Sequence, residues 1–276
     1  MTSNSGQIFY PMNYSELFNR WTAFPDGVLY AGGTTFFDEK ALVVPKLPGI
    51  IFSLEGIEEL HNISRTEKHL EIGSQVKLGQ ILDLGNTVPK VLRDCIENIA
   101  WPQLRNMATI GGNICFSGKR LDCPGALAAL DAMYEFRNAQ SSRWISASRF
   151  ISTEEKISLN PQELLTRIRI PLDNWDYSAY FKFSGHTNKN RAAVFLAKLH
   201  KNILSDIRVI YKTDTVLRDK NSESILIGKG LPLSRRTAGD FISHWDSFLF
   251  SMGNIDDLSR KEFSNFLEMN LNGMSE

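Results

Sequence analysis

Tyr30-Ala31-Gly32-Gly33-Thr34-Thr35 and, well downstream, Ala108-Thr109-Ile110-Gly111-Gly112-Asn113-Ile114 are the two stretches on which the reading of this chain turns. Each sets a glycine pair among apolar and small polar residues. Glycine lacks a Cβ and tolerates positive φ, so consecutive amides can face a phosphate oxygen without obstruction. Either pair also fits a plain turn or bulge, Gly32-Gly33 after one strand and Gly111-Gly112 inside another. Neither matches G-x-x-x-x-G-K-[ST], or G-x-G-x-x-G between a strand and a helix, so a P-loop and a Rossmann unit are both unsupported.

Outward from the first pair, Tyr14 to Trp21 carries apolar residues at helical spacing, Pro25-Asp26-Gly27 interrupts it, and Val28 to Ala31 reads as a strand. A second apolar run, Ala41 to Val44, stops at Pro45, which gives a first unit over 1–54. Ile63 and Leu70 to Ile72 flank the polar Ser64 to Glu67 as in a hairpin, and two helices follow. The second of these carries Val88, Val91, Leu92, Cys95, Ile96 and Ile99 on one stripe. A helix over Gly125 to Ala132 and strands around Tyr134 to Phe136 and Ile168 to Ile170 complete a second unit, 55–173. Over 174–276, strand-like runs at Tyr177 to Phe183, Val194 to Leu199 and Ile207 to Tyr211 precede helices near Thr237 to Phe250 and Arg260 to Asn270. This stretch reads as a separate α+β domain. Ile207, Val209 and Tyr211 alternate with Arg208, Ile210 and Lys212, which is only a partial inside-outside pattern.

The chain has 276 residues, 42% hydrophobic and 22% charged, which suffices for proper cores and places it with ordinary globular proteins. No run approaches the ~18–20 apolar residues of a membrane span. Basic and acidic residues balance at 31 each, so no overall field gathers nucleic acid. Cys95, Cys115 and Cys123 contain no C-x-x-C pair and, being odd in number, close no complete disulfide framework, which points to a reducing compartment. The first residues lack the basic segment and apolar core of a signal peptide, so a cytoplasmic location is expected. An iron–sulfur cluster normally takes four cysteines, so any such cluster belongs on a partner. His61, His69, His186, His200 and His244 have no metal-ligand spacing, and no nucleophile elbow is present. No metal and no catalytic side chain is assigned.

The two glycine stretches resemble, in order and approximate separation, the two FAD-binding loops of the molybdenum hydroxylase flavoproteins. That family includes the FAD subunit of xanthine dehydrogenase and the medium subunit of carbon monoxide dehydrogenase. The likeness continues through Leu127-Ala128-Ala129-Leu130-Asp131-Ala132, through Ile168-Arg169-Ile170-Pro171, and through Gly228-Lys229-Gly230-Leu231-Pro232-Leu233-Ser234-Arg235, so that it covers nearly the whole chain. It departs at Phe116-Ser117-Gly118-Lys119-Arg120-Leu121-Asp122, where the family's usual proline is missing and Lys119 and Arg120 add positive charge. Thr35 also replaces the more usual serine or aspartate.

The resemblance implies an α+β fold: a two-subdomain FAD-binding fold of the vanillyl-alcohol oxidase type, followed by a smaller domain of antiparallel strands and helices. It implies FAD contacts from Val28, Leu29, Tyr30, Ala31, Gly32, Gly33, Thr34 and Thr35 on one side of the diphosphate. Thr109, Gly111, Gly112 and Asn113 would approach from the other side, with Ile99, Ala100 and Ile168 alongside. Asp122 would accept hydrogen bonds from ribityl hydroxyls, although an aspartate before Cys123-Pro124 also suits a helix N-cap. Lys182 would set a cation near the flavin, although it is equally the exposed residue of an alternating strand. The implied function is that of the FAD subunit of a multi-subunit molybdenum hydroxylase. A molybdopterin-binding large subunit and a two-iron two-sulfur small subunit would be its partners, and NAD the expected acceptor. Two other readings remain: an assembly subunit that has lost FAD, and a self-contained flavin reductase of the same fold, which would need its own proton donor.

Overall fold

A computed structural model describes residues 6–34, 48–116, 122–150, 160–184 and 190–274. The first layer comprises β1 (Gln7–Phe9), α1 (Tyr14–Ala23), β2 (Val28–Tyr30) and β3 (Ile50–Ser53), with β3 between β1 and β2 and parallel to both. Asn13 starts α1 by accepting from the Glu16 amide at 2.9 Å, the usual cap for otherwise orphaned first-turn donors. The helix buries Leu17, Phe18 and Trp21 against Phe52 and Leu54. At three residues, β1 is too short to show a strand period. The run Ala41 to Val44 lies outside the described residues.

The second layer contains β4 (Ile63–Arg65), β5 (His69–Gly73), α2 (Leu78–Asp83), α3 (Lys90–Glu97), α4 (Pro102–Arg105), α5 (Ile110–Cys115) and α6 (Cys123–Ala129). It continues with β6 (Met133–Arg137), β7 (Ser142–Ser146), α7 (Ala147–Phe150) and β8 (Leu164–Pro171). The strands form one antiparallel sheet in the order β4-β5-β8-β6-β7. Val91, Leu92, Cys95 and Ile96 of α3 and Ala126 to Ala129 of α6 bury against Leu70, Ile72, Ile168 and Ile170. Each large aliphatic side chain taken fully out of water there contributes about 1.5–3 kcal/mol.

Gly111-Gly112 was expected inside a strand, and the structure corrects this: both glycines lie in the first turn of α5. A short apolar run cannot separate strand from helix by periodicity, and the deciding element is Thr109, whose Oγ1 accepts from the Gly112 amide at 3.0 Å.

The third layer has β9 (Tyr177–Phe183), β10 (Arg191–His200), β11 (Ile203–Lys212), β12 (Val216–Leu217), α8 (Lys220–Leu226), α9 (Arg235–Ser251) and α10 (Asp257–Gly273). Its strands are antiparallel neighbours in chain order. Phe195, Val209 and Tyr211 pack on Phe241, Trp245 and Phe263 of α9 and α10. On the opposite face Val194, Leu196 and Ile210 join the core of the second layer. Burial on both faces explains why the alternation along 207–212 is incomplete: Ile210 belongs inside as much as Val209 does.

Candidate functional site

β2 delivers the chain into Ala31-Gly32-Gly33-Thr34, all half-buried, with Gly33 at φ +69°. A Cβ on Gly32 would stand 2.0 Å from the Met107 carbonyl oxygen, so this glycine is where the first loop touches the segment leading into the second. A Cβ on Gly33 would meet the Tyr30 hydroxyl at 2.2 Å. The amides of Ala31, Gly32 and Gly33 donate to no acceptor among the described residues. Unpaired amides around a left-handed glycine suit an anion. Val28 is exposed, whereas the Leu29 side chain packs into the first-layer core. Thr35 lies outside the described residues.

The second glycine pair is arranged differently. The Gly111 amide donates to Ser74 O at 2.9 Å, the Gly112 amide to Thr109 Oγ1, and the Asn113 amide to Thr109 O at 3.0 Å. The expectation that the Gly111 and Gly112 amides face a diphosphate is therefore corrected, because the fold already uses both donors. Gly111 is required for a packing reason, since a Cβ there would come 2.6 Å from Ser74 Cβ. Asn113 is likewise engaged, its side-chain oxygen accepting from the Cys123 amide at 3.1 Å, which ties α5 to the start of α6. Thr109 to Asn113 thus form a close-packed wall.

Asp122 and Lys182, assigned separately on the sequence, are brought together: Lys182 Nζ donates to Asp122 Oδ2 at 2.8 Å and to Asn98 O at 3.2 Å. Asp122 makes no side-chain N-cap bond, and Lys182 is not a free solvent-facing lysine, so both of those simpler alternatives fall. Lys212, which sequence reasoning did not single out, sends Nζ to 3.9 Å from Asp122 Oδ1 and donates to Asn190 O at 3.0 Å. Burial pushes the Lys212 ammonium down to about 8, Asp122 opposing and Lys182 adding to the effect. The only signal for Lys212 was a charged residue directly after the apolar run Val209-Ile210-Tyr211.

Asn98, Ile99 and Ala100 follow α3. Ala100 is exposed and holds φ +44°, a left-handed conformation that costs a non-glycine residue of order 1–3 kcal/mol. Arg105 of α4 points back over this turn, and Trp101 beside it is 80% exposed. Ile99 is half-buried at the edge of the second-layer core. Ile168 is fully buried at the centre of the sheet between Ile72 and Tyr134, so any part it has in holding a cofactor falls to its backbone or to the packing beneath the site.

These residues suit an FAD. Asp122 Oδ1 is buried without a hydrogen-bond donor, as is the Ser74 hydroxyl beside Gly111, so each retains capacity for a polar group from outside the chain. Lys119 and Arg120 lie outside the described residues. Elsewhere, Ser222, Asp219 and His244 meet in the third layer, but Ser222 Oγ and Asp219 Oδ2 both approach the same ring nitrogen, Nδ1, at 2.9 and 3.3 Å. A nucleophile and its orienting acid need opposite nitrogens, so this trio serves as the start of α8. Among the described residues, no helix is long and apolar enough to cross a membrane.

Comparison with known proteins agrees with this geometry. Xanthine dehydrogenase 2 of Arabidopsis thaliana is 27% identical over 249 residues, which are 82% of this chain and 18% of that protein, so the chain spans about a fifth of the plant relative's length. The xanthine dehydrogenase FAD-binding subunit of Escherichia coli O157:H7 is 26% identical over 77% of this chain and 75% of its own. The nicotine 6-hydroxylase medium subunit of Paenarthrobacter nicotinovorans is 24% identical over 77% of each. Quinoline 2-oxidoreductase from Pseudomonas putida 86 superimposes with a TM-score of 0.79 at 18% identity over 98% of both chains, which establishes the α+β FAD-binding fold. The family model described as FAD binding domain in molybdopterin dehydrogenase matches residues 4–173, and the chain belongs to that family as an FAD-binding subunit of the molybdenum hydroxylase type.

Proposed function

We propose that this chain is the electron-passing subunit of a multi-subunit molybdenum hydroxylase. In that assembly a two-iron two-sulfur small subunit is the donor, NAD or another acceptor the recipient, and a molybdopterin-binding large subunit the site of substrate oxidation. FAD, when bound, supplies the redox chemistry, taking up single electrons and releasing them as a pair. The chain's own residues bind and orient. Ala31, Gly32 and Gly33 offer amides to the diphosphate, continuing from Val28 to Tyr30 and on to Thr34 and Thr35. Thr109, Gly111, Gly112 and Asn113 form the opposing wall, held in place by their hydrogen bonds to Ser74, to one another and to Cys123. Asp122 accepts from hydroxyl groups while Lys182 holds its second oxygen, and Ile99 and Ala100 line the same cleft.

The observation that carries this reading is the contrast between the two glycine pairs: one has its amides satisfied by the fold, the other, together with Ala31 before it, presents three amides with no acceptor among the described residues. The names of the relatives, a medium subunit and an FAD-binding subunit, support a place within a larger complex. The test is the visible spectrum of the purified chain, with oxidised flavin absorbing near ~450 nm, followed by melting in added FAD. Ligand at ~100 times its dissociation constant stabilises the native state by about 2.7 kcal/mol. Absence of both effects would leave a flavin-free assembly subunit. Hydroxylation of substrate by the chain alone, without molybdenum, would refute the relay.

A further inference from the structure

A single nitrogen of Arg105, Nη1, lies 3.0 Å from the carbonyl oxygen of Glu97, 3.0 Å from that of Ile99 and 2.8 Å from that of Ala100. These are charge-assisted hydrogen bonds to the last turn of α3 and the residues just beyond it. The turn they gather is the one that carries Ala100 at φ +44°. A β-carbon in that conformation crowds the following carbonyl, so an L-residue stays there only when its surroundings hold it. Ala100 is exposed, so no packing of its own side chain does the holding.

The same segment runs from the Asp122–Lys182 pair to the glycine loop. At one end the Asn98 carbonyl accepts from Lys182, the partner of Asp122. At the other, the Met107 carbonyl touches Gly32. Between them Trp101 stands largely in solvent and its carbonyl accepts the amides of Leu104 and Arg105, which fixes α4 against the turn. Arg105 sits within this bridge, and no carboxylate is its ion-pair partner among the described residues.

We infer that Arg105 is a positioning residue for FAD: its guanidinium clamps the 97–100 turn in a left-handed conformation and so sets the shape of the cleft between the glycine loop and the Asp122–Lys182 pair. The inference rests on the FAD reading above. It separates from a simple helix C-cap by one consequence. If holding Ala100 left-handed is what matters, a glycine at position 100 should make the clamp largely dispensable.

The experiment measures FAD affinity by titration on the full chain for the wild type, Arg105→Met, Ala100→Gly, the double variant Arg105→Met/Ala100→Gly, and Ala100→Val. Visible circular dichroism of the bound FAD is recorded for each. Arg105→Met is expected to weaken FAD binding about tenfold or more and to alter the flavin dichroism. Ala100→Gly alone is expected to weaken binding far less than Arg105→Met does, and in the double variant to restore most of the lost affinity. Ala100→Val keeps Arg105 and penalises the positive φ, and denaturant unfolding of the FAD-free variant reads that backbone cost apart from any contact of the new side chain with FAD. This variant is expected to weaken binding, and it carries the test should Arg105→Met fail to fold. The proposal is overturned if folded Arg105→Met binds FAD within about twofold of wild type, if Ala100→Gly recovers nothing, or if Ala100→Val binds normally. A wild type that takes up no FAD would instead overturn the functional reading, and this proposal with it.

Discussion

At the residue scale, the Asp122 carboxylate sits between two lysines from the third layer, one donating to it and one just out of hydrogen-bond range. Removing the acid leaves those two cations facing a buried gap. Breaking a buried pair from one side costs ~3–5 kcal/mol, and because the Lys182 side chain is 32% exposed the lower end applies. Asp122→Ala should therefore lose about 3 kcal/mol in urea unfolding, and a loss within 0.5 kcal/mol of zero would mean the pair is a solvated surface contact. Lys212 gives a pH signature. Its folded pKa of about 8 lies below the ordinary 10.5, so between those values the unfolded chain binds more protons and this group makes stability rise with pH. Lys212→Met removes that rise, and its stability relative to wild type should fall steadily from pH 8 to 10.5. A difference that stays constant across the window would show that Lys212 keeps an ordinary pKa. None of this was legible beforehand. The strand alternation said that Lys182 and Lys212 face opposite to Phe183 and Tyr211, but it could not say that the opposite face was also buried.

At the element scale, the legible features were those set by local chemistry. The apolar stripe of α3, the hairpin around Ser64 to Glu67, and α9 and α10 of the third layer all appear within a few residues of their expected limits. Short elements escaped: β1, β7, β12, α4 and α8 span seven residues or fewer and owe their form to what they pair with or pack on. α5 shows the cost of this most clearly, since six residues with two glycines hold a helix through the Thr109 cap, the bonds to Ser74 and Val76, the Asn113–Cys123 bond and the burial of Ile110 and Ile114. Thr109→Ala should lower stability by about 1 kcal/mol through the lost cap, measured by denaturant unfolding of the FAD-free protein. Gly111→Ala should lower it as well, because its new methyl meets Ser74, and the drop in melting temperature should be the same with FAD present as without it. A drop seen only with FAD present would return Gly111 to the ligand face.

At the scale of the whole molecule, β10 decides how the parts hold together. It is the only strand among the described residues with a run of seven consecutive fully buried positions, Arg191 to Ala197, and its neighbours on the two faces belong to different layers. Phe195 packs with Trp245 and Phe263, while Leu196, next along the chain, packs with the core that also contains Ile72, Leu92 and Ala128. A core divided by a sheet in this way cannot lose one side without exposing the other, so the second and third layers should unfold together. Leu196→Ala should cost about 2–5 kcal/mol and Phe195→Ala about 3–5, as large-to-small changes in tight cores do. Both should shift one shared transition, followed by tryptophan fluorescence, in which Trp245 reports from the third layer, and by far-ultraviolet circular dichroism, which reports from all layers. Two separated transitions, with Leu196→Ala moving one and Phe195→Ala the other, would show that the layers are energetically independent despite their common strand.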